Sequence, residues 1–229
     1  MDEQTNVFVV DDDKAVRESL RWLLESVGLR VQTFATADEF LGRHDAAAAG
    51  CLVVDLRLPG MSGLDLQDAL QRKGIRVPVI MISGHGDVPV AVRAMKGGAM
   101  DFIEKPFSDQ VLLDRVRDAV EMDRKFRELD RQRVEVTHRL GMLTPREREV
   151  MQLVVEGKLN KQIAAELGLS HKTIEVHRAH VMEKMQADSL AKLVRMAMIA
   201  EPATSGGNGK ANGKSNGHAK AAPAPAAAG

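Results

Sequence analysis

The sequence predicts an α/β domain built on a five-stranded parallel sheet, followed by a smaller all-α domain. Three observations carry this. In residues 1–120, five short apolar runs alternate with helical patterns, the sequence form of a parallel sheet covered on both faces. Residues 143–200 show helical periodicity alone, broken at Gly157 and at Gly168-Leu169-Ser170. The charge, zero overall from 32 basic and 32 acidic side chains in 229 residues, is polarised: −5 in residues 1–120, +1 in 121–140, +2 in 141–200 and +2 in 201–229. An acidic module suited to cations and a mildly basic one suited to polyanions are expected in one chain.

Taken in order, the strands read as Val7-Phe8-Val9-Val10, residues 30–34, Cys51-Leu52-Val53-Val54, Val79-Ile80-Met81-Ile82 and Asp101-Phe102-Ile103. Three are continuous apolar stretches, as strands buried on both sides should be. Val16, Leu20, Leu23, Leu24 and Val27 follow 3.6-residue spacing and mark a helix closed by Gly28. Further helices fit residues 36–43, 63–73, 87–96 and from 108 onward, with Thr36 and Ser108 as N-caps. From Leu112 into the 130s the chain lacks Gly and Pro, and Met122, Phe126, Leu129, Val136 and Leu140 recur at three- and four-residue multiples, interrupted by Arg133. Two readings stand for this stretch, a solvated connecting helix or a short coiled coil. Thr144-Pro145-Arg146-Glu147 forms a capping box with proline at the first helical position. Asn160 is expected to cap the next helix, and a third runs from about His171 to Met185. Beyond about Pro202 the composition collapses to Ala, Gly, Asn, Lys and Pro, which cannot offset its ordering entropy, so a disordered low-complexity tail is expected over 201–229.

Ligands of parallel sheets collect beyond the carboxyl ends of the strands. The first strand ends in Asp11-Asp12-Asp13, the third in Asp55, the fourth in Ser83, and the fifth is followed by Lys105-Pro106. Clustered carboxylates repel one another unless a cation compensates them, and Mg²⁺ held by carboxylates, a carbonyl and waters would do so. Such an ion usually completes its shell with phosphate oxygens, which Lys105 and Ser83 suit by charge and hydroxyl. A carboxylate can itself take a phosphoryl group as an acyl phosphate. Each residue alone reads as an ordinary polar loop, helix start or turn; the joint pattern points to a site.

On these residues the chain resembles receiver domains of bacterial two-component response regulators, with their flavodoxin- or CheY-like fold. Val9-Val10-Asp11-Asp12-Asp13 resembles the acidic pair after the first strand, and the stretch from Val53-Val54-Asp55 through Pro59-Gly60-Met61-Ser62-Gly63 the phosphoacceptor loop. Glu104-Lys105-Pro106-Phe107 resembles the lysine-proline turn, and the segment from Ser83-Gly84-His85-Gly86-Asp87-Val88-Pro89 to Phe107 is similar to the FixJ-type subgroup. The resemblance implies that Asp55 accepts phosphate from a sensor histidine kinase. It implies that Asp11, Asp12, Asp55 and the carbonyl of Arg57 bind Mg²⁺, that Ser83 and Phe102 are switch residues beside Lys105, and that Lys105-Pro106 is cis. Ser83 stands where close relatives commonly carry Thr.

The helix, Gly-containing turn and helix of the second half have the form of a helix-turn-helix, with a plain helical bundle as the alternative. Leu143 to Val150, Asn160-Lys161-Gln162-Ile163-Ala164 and Leu169 to Arg178 resemble the LuxR-type, or GerE-type, DNA-binding domain. That resemblance implies a third helix in the major groove, with Glu175, Val176 and Ala179 facing base edges. Lys172, Thr173 and Arg178 are implied at phosphates, with His177 adjoining. The final helix, with Leu193, Val194 and Met196, resembles one used for dimerisation, though covering the core fits equally.

The expectation is a receiver domain over 1–122, a helical linker over 123–140 and a DNA-binding domain over 141–200. Its implied partners are a histidine kinase, double-stranded promoter DNA, RNA polymerase and, on phosphorylation, a second copy. No run approaches the ~18 apolar residues of a membrane helix, and residues 1–6 carry no secretory pattern, so a cytoplasmic protein without a membrane partner is expected. A lone Cys51 excludes an intrachain disulfide. A Mg²⁺-dependent phosphohydrolase typically places a second acid two residues after its nucleophile, where Arg57 stands here, so a regulator rather than an enzyme is expected. The other alternative is a DNA-binding regulator whose receiver no longer signals.

Overall fold

The computed structural model describes residues 5–45, 48–84 and 88–200, in two compact units, Met1–Met142 and Leu143–Gly229. The tail assigned to 201–229 and the His85-Gly86-Asp87 segment lie outside the described residues.

The first unit alternates β1 (Asn6–Val10), α1 (Lys14–Ser26), β2 (Arg30–Phe34), α2 (Ala37–Arg43), β3 (Gly50–Asp55), α3 (Gly63–Arg72), β4 (Val79–Ser83), α4 (Val88–Lys96), β5 (Asp101–Glu104) and α5 (Asp109–Gly141). The strands are all parallel, in the order β2-β1-β3-β4-β5. Side chains alternate between two cores. Phe8, Val10, Leu52, Val54 and Met81 meet Phe40, Leu66, Leu70 and Ala94 of α2, α3 and α4. Val7, Val9, Cys51, Val53, Ile80 and Ile82 meet Leu20 and Leu24 of α1 and Leu112, Val116 and Ala119 of α5. Because both faces of β1, β3 and β4 are covered, these strands are apolar without alternation.

The caps follow local chemistry. Asp13 accepts from Ala15 N at 2.7 Å, and Thr36 and Ser108 accept from Glu39 N and Val111 N. Ser62 and Asp65 form a capping box at α3. Two fastenings were not visible in the sequence. On α3, Gln67 donates to Ala94 O at 3.1 Å and to Gly97 O at 2.5 Å, tying α3 to the carboxyl end of α4. On α5, the buried Asp123 accepts from Gly50 N at 2.8 Å and from Arg127 Nε at 2.7 Å, while Arg127 Nη2 donates to Ala48 O at 2.6 Å. These contacts pin α5 to the start of β3. Gly50 itself adopts φ +150°, and a Cβ there would stand 1.7 Å from Asn6 O, so only glycine fits. No break separates residue 122 from 123, and α5 runs as one helix of 33 residues.

The second unit comprises α6 (Pro145–Val155), α7 (Asn160–Leu167), α8 (His171–Lys184) and α9 (Leu190–Ala200). Val150, Ile163, Ile174, Val181, Met185 and Leu193 are fully or almost fully buried and form its apolar interior. Gly168, at φ +66°, ends α7, and Ser170 caps α8 by accepting from Thr173 N at 3.1 Å. Leu193 and Met196 are buried, so α9 covers the core with these residues, whereas Val194 is half-buried. One expectation is corrected: the N-cap of α7 is Leu159, whose N–H donates to Gln162 Oε1 at 2.8 Å. Asn160 sits one position inside, and its side chain accepts from Arg178 Nη1 at 2.9 Å. The long-range pair takes the amide that a local cap was expected to use.

Candidate functional site

Asp11, Asp55 and Ser83 lie at or just beyond the carboxyl ends of the three central strands, and Lys105 follows the edge strand β5. Lys105 Nζ donates to Asp55 Oδ2 at 2.5 Å and to Asp11 Oδ2 at 3.0 Å, so one ammonium spans two carboxylates. Asp11 Oδ1 accepts from Asp13 N at 2.9 Å, and Asp55 Oδ1 from Arg57 N at 2.7 Å. Lys105 N donates to Ser83 O at 2.7 Å, which fixes the turn that delivers the lysine, and Lys105-Pro106 is cis. The Ser83 side chain is buried. Gly63 N donates to Leu56 O, and a Cβ on Gly63 would come within 2.6 Å of Asp55 O, so the absence of a side chain lets α3 start tight against the Asp55 loop.

Burial drives the electrostatics. It raises the Asp11 carboxyl above its ordinary value, and the Lys105 hydrogen bond only partly offsets this. For Lys105 burial pulls the other way, but hydrogen bonds to Asp55 and Asp11 outweigh it and hold the ammonium above its usual range. Arg17, which the sequence reading did not single out, donates through Nη1 to Asp11 O at 2.6 Å and Asp12 O at 2.9 Å, so a second cation holds the acidic loop by its backbone.

Asp12 is exposed, and among the described residues no three carboxylate, imidazole or thiol side chains are gathered as a ready metal cluster. Asp11 and Asp55 nevertheless bring oxygens near enough to share one cation, now an ammonium, and all-oxygen donors suit a hard ion that keeps several waters. The donor chemistry therefore fits Mg²⁺. Phe102, half-buried on β5, lines a groove with Val88, Ala91, Val92 and Met95 of α4.

In the second unit, Lys172, Glu175, Val176 and Ala179 are exposed along α8, opposite the buried Ile174 and Val181. Thr173, His177 and Arg178 are half-buried. The Thr173 hydroxyl is 2.8 Å from Ser170 Oγ, Arg178 is held by Asn160, and His177 Nδ1 is buried without a hydrogen-bond partner. The exposed set is thus narrower than the seven residues singled out from the sequence. An exposed helix with cationic, acidic and apolar groups at its amino-terminal half can enter a major groove, where Val176 suits a thymine methyl.

Residues 7–117 match the family model described as response regulator receiver domain, and residues 141–197 that described as bacterial regulatory proteins, luxR family. Nodulation protein W of Bradyrhizobium diazoefficiens is 53% identical over 191 residues, spanning 83% of this chain and 84% of its own. FixJ of Azorhizobium caulinodans is 48% identical over 200 residues, spanning 87% of this chain and 95% of its own. The chain belongs to the LuxR/FixJ-type response regulators. The structure of the response regulator StyR superposes with a TM-score of 0.78 at 44% identity, covering 85% of this chain and 98% of its own.

This response regulator therefore joins a CheY-like receiver to a LuxR-type DNA-binding domain, the make-up of a two-component transcription regulator. Receiver domains bind Mg²⁺ as a family. No helix among its described residues is long and apolar enough to cross a membrane. Arg17 and Asp123 escaped the sequence reading because a charged residue inside a helical pattern carries no sign of what lies across from it. For Arg17 a signal existed, since it falls four residues after Asp13, one turn from the acidic run.

Proposed function

We propose that Asp55 takes a phosphoryl group from a sensor histidine kinase, and that the phosphorylated protein pairs with a second copy and binds promoter DNA through α8. The observation that carries this is the single Lys105 ammonium spanning Asp55 and Asp11. Asp55 Oδ1 accepts from the Arg57 N–H of its own loop, whereas Oδ2 is held by the Lys105 side chain, which can pass to the incoming phosphoryl oxygens, so we take Oδ2 as the nucleophile. Oδ2 attacks phosphorus, the phosphorus–nitrogen bond of the donor histidine breaks, and its electron pair stays on the imidazole. Asp11, Asp12, Asp55 and the carbonyl of Arg57 would hold Mg²⁺, which when bound neutralises charge on the transferring oxygens.

Phosphorylation converts a carboxylate into a group carrying about 1.5 to 2 negative charges. Lys105 then has phosphoryl oxygens to pair with in place of Oδ2, and the Ser83 hydroxyl donates to another. Phe102 follows Ser83 into the space beside α4. Lys172, Thr173 and Arg178 meet backbone phosphates, Glu175, Val176 and Ala179 meet base edges, and His177 sits between these sets. We assign the receiver to 1–122, the linker to 123–140 and the DNA-binding domain to 141–200, in a cytoplasmic protein that acts with RNA polymerase.

The test is acyl-phosphate labelling with a small phosphodonor and Mg²⁺, alongside DNA affinity. Asp55→Asn is expected to abolish the label and the phosphodonor's effect on DNA binding; an unchanged label in the variant sinks the assignment.

A further inference from the structure

On α5, along the stretch where Asp123 and Arg127 pin it to the start of β3, Met122, Phe126 and Leu129 are 39%, 51% and 57% exposed. They fall at +4 and +3 spacing on one exposed stripe, with the buried Asp123 at its flank. In seven-residue lettering Phe126 and Arg133 occupy a, and Met122 and Leu129 occupy d. The flanking positions are charged in a defined way, with Lys125 at g and Asp130 at e, while Arg124 and Arg131 fall at f, the position farthest from a partner.

We infer that this face is where the α5 helices of two copies of the chain lie side by side, parallel and in register. The flanking charges select the occupant. In a parallel pair, g of one helix faces e of the next heptad on the other, which sets Lys125 against the partner's Asp130, twice by symmetry. An antiparallel pair opposes g to g and e to e, like charge to like. Both groups are held meanwhile by exposed intrachain pairs, Lys125 with Glu121 at 2.6 Å and Asp130 with Arg76 at 3.7 Å, which can exchange at little cost. Arg133 ends the apolar seam, because a cation at a is tolerated only where it can reach water, and this limits pairing to one register.

Three apolar side chains are too few to hold two helices together alone, since stable coiled coils need about three to four heptads. The pairing therefore follows the phosphorylation-dependent dimerisation proposed above, on which it rests, and draws on the high effective concentration that dimerisation supplies.

Disulfide trapping reads the geometry directly. The native thiol of Cys51 is buried in β3, and burial pushes it up to about 12, so it does not compete. Leu129→Cys and Arg131→Cys, in the full chain, would be oxidised with and without phosphodonor, with sedimentation run in parallel. Leu129→Cys is expected to cross-link about tenfold faster once phosphorylated, and Arg131→Cys to stay slow. Lys125→Glu should slow trapping at Cys introduced at 129, and adding Asp130→Lys should restore it. Equal trapping at 129 and 131 in a protein that sediments as a dimer overturns the helix pairing and leaves the dimerisation reading intact. A phosphorylated protein that remains monomeric overturns both.

Discussion

Lys105 keeps Asp11 and Asp55 close with a single ammonium, so removing that charge leaves two acids facing each other, one of them 4% exposed. Lys105→Met is expected to destabilise the receiver by about 2 kcal/mol at neutral pH, less than the 3 to 5 kcal/mol of a fully buried pair because the lysine is 27% exposed. Urea unfolding measures it. Asp11→Asn in the Lys105→Met background should recover part of the loss, and no recovery would show that the two carboxylates do not repel. The convergence of Asp11, Asp55 and Lys105 was legible because a strand's end is readable and parallel strands present their carboxyl ends together. What could not be read was the partner of an isolated polar group: Asn160 looked like a cap and instead holds Arg178, and Asp123, which nothing in its neighbourhood marked out, takes the N–H of Gly50.

The helices were legible where caps and apolar spacing agreed, as at Thr144 with Glu147. Their mutual fastenings were not, because these depend on which turns come to face each other. Glu147 shows the difference. Its carboxylate completes the capping box by accepting from Thr144 N at 2.9 Å, and it also accepts from Lys184 Nζ at 2.6 Å, clamping the start of α6 to the end of α8. Burial raises this carboxyl, but Lys184 and Thr144 together outweigh it and lower it from 4.5 to about 2. A depressed carboxyl binds its proton less readily in the folded state than in the unfolded one. Its contribution, on the order of 3 kcal/mol, is therefore complete above about pH 4.5 and lost as pH falls through about 2. Between about pH 5 and pH 3 the DNA-binding domain of wild type should lose stability more steeply than that of Glu147→Gln, as followed by urea titration. Parallel pH profiles would remove the clamp from the account.

The charge polarity along the chain corresponds to two bodies with separate cores, one around a sheet and one around Ile163, Ile174 and Met185. Thermal unfolding is expected to show two calorimetric transitions. Asp123→Ala, which removes the acceptor of Gly50 N–H and one of the partners of the Arg127 guanidinium, should lower only the receiver's transition, by roughly 5 °C for a cost of about 2 kcal/mol. A shift of both transitions together would mean the bodies unfold as one. The sheet carries a consequence for how such molecules associate. Its open edges are β2, where Arg30 and Gln32 are exposed, and β5, where Asp101 and Glu104 carry charge. Charged edges discourage strand-to-strand addition. Crowded copies are thereby steered away from open-ended, fibre-forming contacts and toward closed pairs built from helical surfaces, so the molecule can raise its valence by one and stop.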